Sequence, residues 1–260
     1  MRRLEISTNT ECTINCYPLC PQKLLHSAYH GSPFLSLADF GRALSNVPND
    51  VRIEFCGFSE PFLNPEAVDM IELAHDRGYD VSAVTTLVGL KPSDVDRLAR
   101  VNTGAFTLHL PDACGIAHIP ITDEYKEVLT LALTKIQVSD FSIMSKYFKD
   151  HHWAGNSENS PPFHFRGPFL CEWLSRPQFV MLPDGTTTFC PMDRGLKHVL
   201  GNLMETSYDD LMESKAFRKI LRSRWAWDGN GVCRSCHKAF STGRIAGKMG
   251  KALREIGVSV

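Results

Sequence analysis

Two groups of cysteines carry the chemistry this sequence can do. Cys12, Cys16 and Cys20 fall within nine consecutive positions, CTINCYPLC, near the start of the chain. Cys171, Cys190, Cys233 and Cys236 fall in the second half, the last two as the pair Cys233-Arg-Ser-Cys236 in a Gly-flanked loop. A C-x2-C pair suits two bonds to one tetrahedral centre, and two further thiolates close the site. The late four can therefore hold zinc or an iron–sulfur cluster. The early group is one thiolate short of a closed site. Three thiolates in one loop can hold three irons of a four-iron cluster and leave the fourth open to a ligand that is not protein. An open iron that takes a small molecule suits chemistry rather than electron storage alone.

The elements that must position these thiols read as alternating strands and helices. Leu4–Ser7 is a short strand. Ser36 caps a helix that runs to about Ser45 and is closed by Pro48. Val51–Cys56 alternates, with Ile53 and Phe55 on one face and Arg52, Glu54 and Cys56 on the other. Asn64-Pro65 opens a helix with Gly78 at its C′ position. Val81–Thr86 is a third strand, followed by a helix near Ser93–Arg100. Ala105–Leu110 is a fourth, with Thr107 and His109 opposite Phe106, Leu108 and Leu110. A helix over about Asp123–Lys135 leads into a fifth strand, Ile136–Met144. Repeated βα units predict a parallel sheet with helices outside. Such sheets place chemistry in the loops after the strands' C-terminal ends. Those loops carry Cys12–Cys20, Gly57–Pro61, Thr85–Leu87 and Pro111–Cys114. The pattern breaks near Phe148, at the polar stretch HHWAGNSENSPP. From Cys171 onward there follow a hairpin (Gln178–Leu182 and Thr186–Cys190, turning at Pro183-Asp184-Gly185), a helix over Tyr208–Arg222 and the Cys233/Cys236 loop. This predicts a barrel-like unit over residues 1–150 and a linker with a small cysteine-stapled domain over 151–260.

At 260 residues, 43% hydrophobic and 22% charged, the chain can bury a full core. No apolar run approaches the roughly 18 residues of a membrane span. Met1-Arg2-Arg3-Leu4-Glu5 has no apolar stretch after its charges, so no secretory signal is expected. The expected compartment is the cytoplasm, where thiols stay reduced, so nine cysteines point to metal or catalytic thiols rather than to a disulfide framework. A net charge of −1 gives no global pull toward nucleic acid. Lys215–Arg254 holds eleven Lys/Arg against one acid, Asp228, and reads as a solvated basic face rather than a binding patch.

Three further stretches belong with the cysteines. CGFSEP (56–61) follows the second strand, VTTL (84–87) follows the third, and C-x13-G-x4-C runs from Cys171 through Gly185 to Cys190. Together with the cysteine loop after the first strand, they resemble the radical S-adenosylmethionine (SAM) enzymes. The family's loop is C-x3-C-x2-C; here it is Cys12-x3-Cys16-x3-Cys20, one residue longer. The resemblance covers nearly the whole chain. It implies an α/β fold, a partial (β/α) barrel of five to six parallel strands, with a small C-terminal iron–sulfur domain of the SPASM type. No cysteine follows Cys236, which implies the shortened twitch form. In length and in the placement of the late cysteines the chain is similar to the 2-deoxy-scyllo-inosamine dehydrogenases.

The resemblance also implies cofactors and roles. Cys12, Cys16 and Cys20 would hold a SAM-binding 4Fe-4S cluster, and Cys171, Cys190, Cys233 and Cys236 an auxiliary 4Fe-4S cluster. CGFSEP resembles the family's G-G-x-E-P segment, so Gly57, Phe58, Ser59 and Glu60 would bind the amino group of SAM; a carboxylate is apt for an ammonium. Thr85 and Thr86 would contact its carboxylate and ribose, and Leu19, within the cysteine loop, would also face the cofactor. The implied reaction is reductive cleavage of SAM to a 5′-deoxyadenosyl radical that removes a hydrogen atom from a small-molecule substrate. Oxidation of a secondary alcohol on a sugar or cyclitol is the first reading, with flavodoxin or ferredoxin as reductant. Epimerisation and peptide modification are alternatives. A zinc-binding regulatory module and an electron carrier are readings from outside the class.

Other residues carry weaker signals. Cys114, in LHLPDACG after the fourth strand, is placed to donate a hydrogen atom in an epimerase, and His109 to contact SAM or substrate; these are the catalytic candidates. Cys56 reads as a small buried hydrophobe. Arg166 and Asn156 lie in the connection between halves, where ligands often bind. Trp225 and Trp227 read as packing.

Overall fold

The computed structural model describes residues 1–16, 20–101, 103–144, 153–156, 164–229 and 231–241. Five short strands of the first half alternate with helices: β1 (Arg2–Ile6), β2 (Val51–Phe55), β3 (Val81–Thr85), β4 (Ala105–Leu110) and β5 (Asp140–Ile143), with α1 (Gln22–Ala28), α2 (Leu37–Leu44), α3 (Ala67–Asp76), α4 (Pro92–Leu98) and α5 (Asp123–Lys135). Side-chain caps set two of the helix starts: Ser36 Oγ accepts from Asp39 N, and Thr122 Oγ1 from Tyr125 N. Gly78 ends α3 as the spacing predicts, with φ +82° and its N–H on His75 O at 2.8 Å.

The second half adds β6 (Phe169–Leu170), β7 (Gln178–Met181), β8 (Thr186–Thr188), β9 (Val199–Asn202) and β10 (Phe240–Ser241), with α6 (Glu172–Ser175), α7 (Tyr208–Glu213) and α8 (Lys215–Ser223). One eight-stranded sheet runs in the order β5-β4-β3-β2-β1-β7-β8-β9. β7 lies parallel beside β1, from Arg3 opposite Gln178 to Ile6 opposite Met181. The hairpin expected within the second region therefore supplies the sixth parallel strand of the main sheet. β6 and β10 form a separate antiparallel pair.

A parallel sheet covered on both faces is usually apolar throughout; these strands alternate instead. Leu4, Ile6, Ile53, Phe55, Phe106, Leu108, Phe179 and Met181 are buried in the core. Glu5, Glu54, Thr107, His109, Ser142 and Gln178 turn to the other face and line a cavity. Asp140 and Ser142 of β5 line the same cavity as Gln178 of β7. On a flat sheet those strands would stand about 24 Å apart, so the sheet curls into an open barrel.

The two halves share one core. Tyr208 stacks on Phe179 at 5.0 Å between ring centroids, and its N–H donates to Asn46 O at 2.9 Å. Phe217 of α8 meets Phe179 edge-on at 5.5 Å. Burying each such ring contributes about 1.5–3 kcal/mol. Several expectations are corrected. β5 begins at Asp140, because Ile136 closes α5 by donating to Ala132 O. The expected Tyr208–Arg222 helix breaks at Ser214, whose hydroxyl caps α8. Trp225 and Trp227, expected to be packing, are 60% and 70% exposed, with the Arg224 guanidinium 5.0 Å from the Trp225 ring centroid. α1 and β9 lacked a periodic apolar pattern, and α1 buries only Leu25. Among the described residues, no helix is long and apolar enough to cross a membrane.

Candidate functional site

The cavity, of about 390 Å³, sits at the C-terminal ends of the parallel strands. Buried polar residues after β1 stitch its first two loops together. Ser7 Oγ accepts from Phe58 N at 2.9 Å, Thr8 Oγ1 donates to Pro61 O at 2.7 Å, and Asn9 Nδ2 donates to Glu60 O at 2.8 Å. Ser59 Oγ donates to Asn9 O at 2.5 Å. Gly57 adopts φ +71°, and a Cβ there would fall 2.3 Å from Ser7 Oγ, so only glycine fits.

Glu60 joins the second loop to the third. Its carboxylate accepts from Thr85 Oγ1 at 2.5 Å, Thr86 N at 2.6 Å, Thr86 Oγ1 at 2.7 Å and Phe62 N at 3.3 Å. Burial pushes this carboxyl above its usual range, and the same four bonds pull it back. Four donors use the lone-pair directions a carboxylate has. Glu60 therefore acts here as a brace between loops; its side chain is not free to pair with an ammonium.

Cys12, Cys16 and Cys20 all line this cavity. Cys20 N donates to Cys16 O at 2.8 Å. Burial first, then neighbouring charge, pushes the Cys16 thiol up, and burial does the same at Cys12. Cys171, Cys190, Cys233 and Cys236 converge elsewhere. Burial raises each of these thiols, Cys233 to about 12; Cys190, Cys233 and Cys236 carry an added push from others of the four, and Cys171 from Glu172. Held as thiolates without a cation, such groups repel one another; a metal centre resolves the conflict by binding them deprotonated. Met192 N and Lys238 N each donate to a sulfur, Cys190 Sγ and Cys236 Sγ, at 3.4 Å. N–H groups aimed at sulfur are the setting of metal-bound thiolate. All nine cysteines are free, so both groups fit a metal centre by donor chemistry.

The remaining lining is polar on the barrel side and aromatic on the other. Glu5, Glu54 and Cys56 bring their ligand atoms within 4.8 Å of one another. Burial, with Glu54 nearby, pushes Glu5 up to about 8, and Gln178 Nε2 donates to its Oε1. His109 and Thr107 line the wall from β4. Trp153, Trp173, Met192, Arg194 and Lys238 close it from the second half. Cys114 does not line the cavity; it is exposed, its N–H on Asp112 Oδ1 at 2.8 Å. Of the two cysteines outside the two groups, Cys56, expected to be packing, is the one that lines the cavity. Arg166 pairs with Asp228 at 3.0 Å on the surface, and Asn156 Nδ2 donates to Trp153 O at 2.8 Å; neither lines the cavity. Leu19 lies outside the described residues. Arg194 was missed by sequence reasoning, although its place in CPMDRG, four residues after Cys190, was there to be noticed.

Residues 171–237 match the SPASM iron–sulfur cluster-binding domain family. No curated protein sequence matches the chain. Solved structures share its fold. BtrN in complex with AdoMet and 2-DOIA aligns with TM-score 0.66 at 16% identity, over 93% of this chain and 94% of that one. Native anSMEcpe with bound AdoMet gives 0.53 at 16% identity, over 91% and 86%. Streptococcus suis SuiB bound to precursor peptide SuiA gives 0.53 at 13% identity, over 90% and 69%.

Proposed function

We propose that this SPASM-domain protein is a radical SAM oxidoreductase acting on a small hydroxylated molecule, a sugar or cyclitol. Cys12, Cys16 and Cys20 would hold the SAM-binding 4Fe-4S cluster, and Cys171, Cys190, Cys233 and Cys236 the auxiliary one. One observation supports the reading: three thiols open on a polar cavity, while burial and the charges of Cys171, Cys233 and Cys236 push the Cys190 thiol up. When bound, the first cluster with SAM supplies hydrogen-atom abstraction and the second an electron acceptor. The chain's own residues supply the rest. Gly57, Phe58 and Ser59, held by Ser7 and Asn9, form one wall for SAM; Thr85 and Thr86, fixed by Glu60, form the next. Glu5, Glu54, Thr107, His109, Asp140, Ser142 and Gln178 offer hydrogen bonds to hydroxyl groups. Converting CH–OH to C=O removes one hydrogen atom, one proton and one electron; Glu54 and Asp140 are carboxylates placed to take the proton. The cavity's lining of carboxylates, hydroxyls, an imidazole and an amide suits a hydroxylated small molecule. Among the similar structures, BtrN was solved with 2-DOIA and SuiB with a peptide. A flavodoxin or ferredoxin would be the reductant, in the cytoplasm.

Epimerisation is the second reading, because Cys56 lines the cavity and could return a hydrogen atom. The test is anaerobic incubation of candidate sugars and cyclitols with SAM and dithionite, read by mass spectrometry in ordinary and heavy water. Oxidation gives a product two mass units lighter with no deuterium gained. Unchanged mass, one deuterium gained, and loss of product in Cys56→Ala would establish the epimerase instead. Cys114→Ala is expected to change neither outcome.

A further inference from the structure

Arg194 is a buried cation, 3% exposed, with no ion pair within 4.0 Å among the described residues. Such a charge costs several kcal/mol unless its surroundings compensate. Part of the compensation is visible. Nη1 donates to Phe58 O at 2.9 Å and Gln22 Oε1 at 3.2 Å, and Nη2 to Gly57 O at 3.4 Å. The guanidinium lies 4.7 Å from the Phe58 ring centroid and 4.4 Å from that of Trp153. Nε is buried with no hydrogen-bond partner. Carbonyls and ring faces are neutral, and although Glu5 lines the same cavity and feels this charge, no carboxylate is ion-paired with the guanidinium among the described residues.

Its position names the missing anion. Arg194 lines the same cavity as Cys12, Cys16 and Cys20. Gln22 Oε1, which accepts from Arg194, also accepts from Cys20 Sγ at 3.9 Å. The residue is delivered by the loop that begins at Cys190. Asp193 fixes that loop, accepting from Thr188 Oγ1 at 2.8 Å, His198 N at 2.8 Å and Lys197 N at 3.0 Å. We infer that Arg194 is the fixed counter-charge of the first metal site: a positioning residue, sent from the second cysteine group, that favours the added electron on a cluster held by the trio and anchors Gly57 and Phe58 beside it. This rests on the reading of the trio as cluster ligands.

The test is an EPR-monitored potentiometric titration of the reconstituted full chain, wild type against Arg194→Met and Arg194→Lys. SAM titration follows each. In Arg194→Met the trio cluster's reduced-to-oxidised ratio at fixed potential should fall about tenfold, the order a unit charge nearby gives in a protein interior. Tenfold corresponds to 59 mV for one electron. The late cluster should not move. Arg194→Lys keeps the charge and loses the fork, so it should hold the potential while binding SAM several-fold more weakly. That variant carries the test if Arg194→Met does not fold. Two clusters in the wild type with unchanged potentials in Arg194→Met, a lowered potential in Arg194→Lys, or tighter SAM binding in either variant would overturn the inference alone. A wild type with only the late cluster would overturn the underlying reading as well.

Discussion

Around Cys171, Cys190, Cys233 and Cys236 the chain closes in: two of the thiols are buried outright, N–H groups point at two of the sulfurs, and the four act on one another. Around Cys12, Cys16 and Cys20 it opens, onto a cavity walled by three strand-end loops and by residues from the late region. The same side chain thus serves two ends. On the proposed reading, four thiols that complete a coordination sphere would hold structure together, and three that leave it incomplete would create a place for a ligand. Arg194 ties the two, since the loop that starts at one group ends beside the other.

The sharpest way to break this comparison is to remove each group in turn. Cys233→Ala with Cys236→Ala should cost most, because metal binding at a closed site is also folding free energy, about 10 kcal/mol or more at structural zinc sites. The expected outcome is insoluble protein or a Tm lowered by more than about 10 °C, at roughly 2–4 °C per kcal/mol for chains of this size. Cys12→Ala, Cys16→Ala and Cys20→Ala together should leave Tm within a few degrees. Equal destabilisation of the two variants by calorimetry would erase the distinction.

A smaller effect sharpens the open side. Glu60→Gln leaves a side-chain NH₂ facing hydroxyl and N–H donors that now find a carboxylate, which should cost about 1–3 kcal/mol. SAM affinity, measured by equilibrium dialysis, should fall about tenfold with the fold intact. Unchanged affinity would remove Glu60 from the site's construction.

The smallest effect concerns the cavity floor. Glu5 faces Glu54, Cys56, Gln178 and the charge of Arg194, and burial raises its carboxyl to about 8. A raised carboxyl contributes full stability below its unfolded value near 4.5 and loses it as pH rises toward 8. Wild-type Tm should therefore decline over that window. Glu5→Gln should flatten the decline, matching wild type at pH 4.5 and exceeding it by a few degrees at pH 8. Parallel curves would show that Glu5 does not titrate there.

Much of this architecture was legible in the sequence, for identifiable reasons. Strands β2 and β4 alternate because their inner face lines a cavity, so Ile53, Phe55, Glu54, Thr107 and His109 could be sorted by period alone. The cap at Ser36 and the glycine at 78 are local chemistry. What escaped depends on contacts distant in sequence. Nothing near Gln178 announces that its strand pairs with Arg3–Ile6, more than 170 residues away. Arg194 in isolation is one more arginine; its meaning comes from Phe58, Trp153 and Gln22. Alternation along β2 puts Cys56 with Glu54 on the cavity face, whereas Cys114, four residues beyond β4, follows no such pattern and lies on the surface. The bonds from Thr85 and Thr86 to Glu60 join two strand ends that are 25 residues apart in the chain.

On the proposed reading the chain holds two iron–sulfur clusters with different jobs. The direct test is iron and sulfide per chain in anaerobically reconstituted protein, wild type and Cys12/Cys16/Cys20→Ala, with SAM cleavage assayed on the same samples. The account predicts about eight irons in the wild type and about four in the variant, from two four-iron clusters, with 5′-deoxyadenosine formed only by the wild type. Iron unaffected by the triple substitution, zinc in place of iron at the late site, or undiminished SAM cleavage in the variant would contradict it.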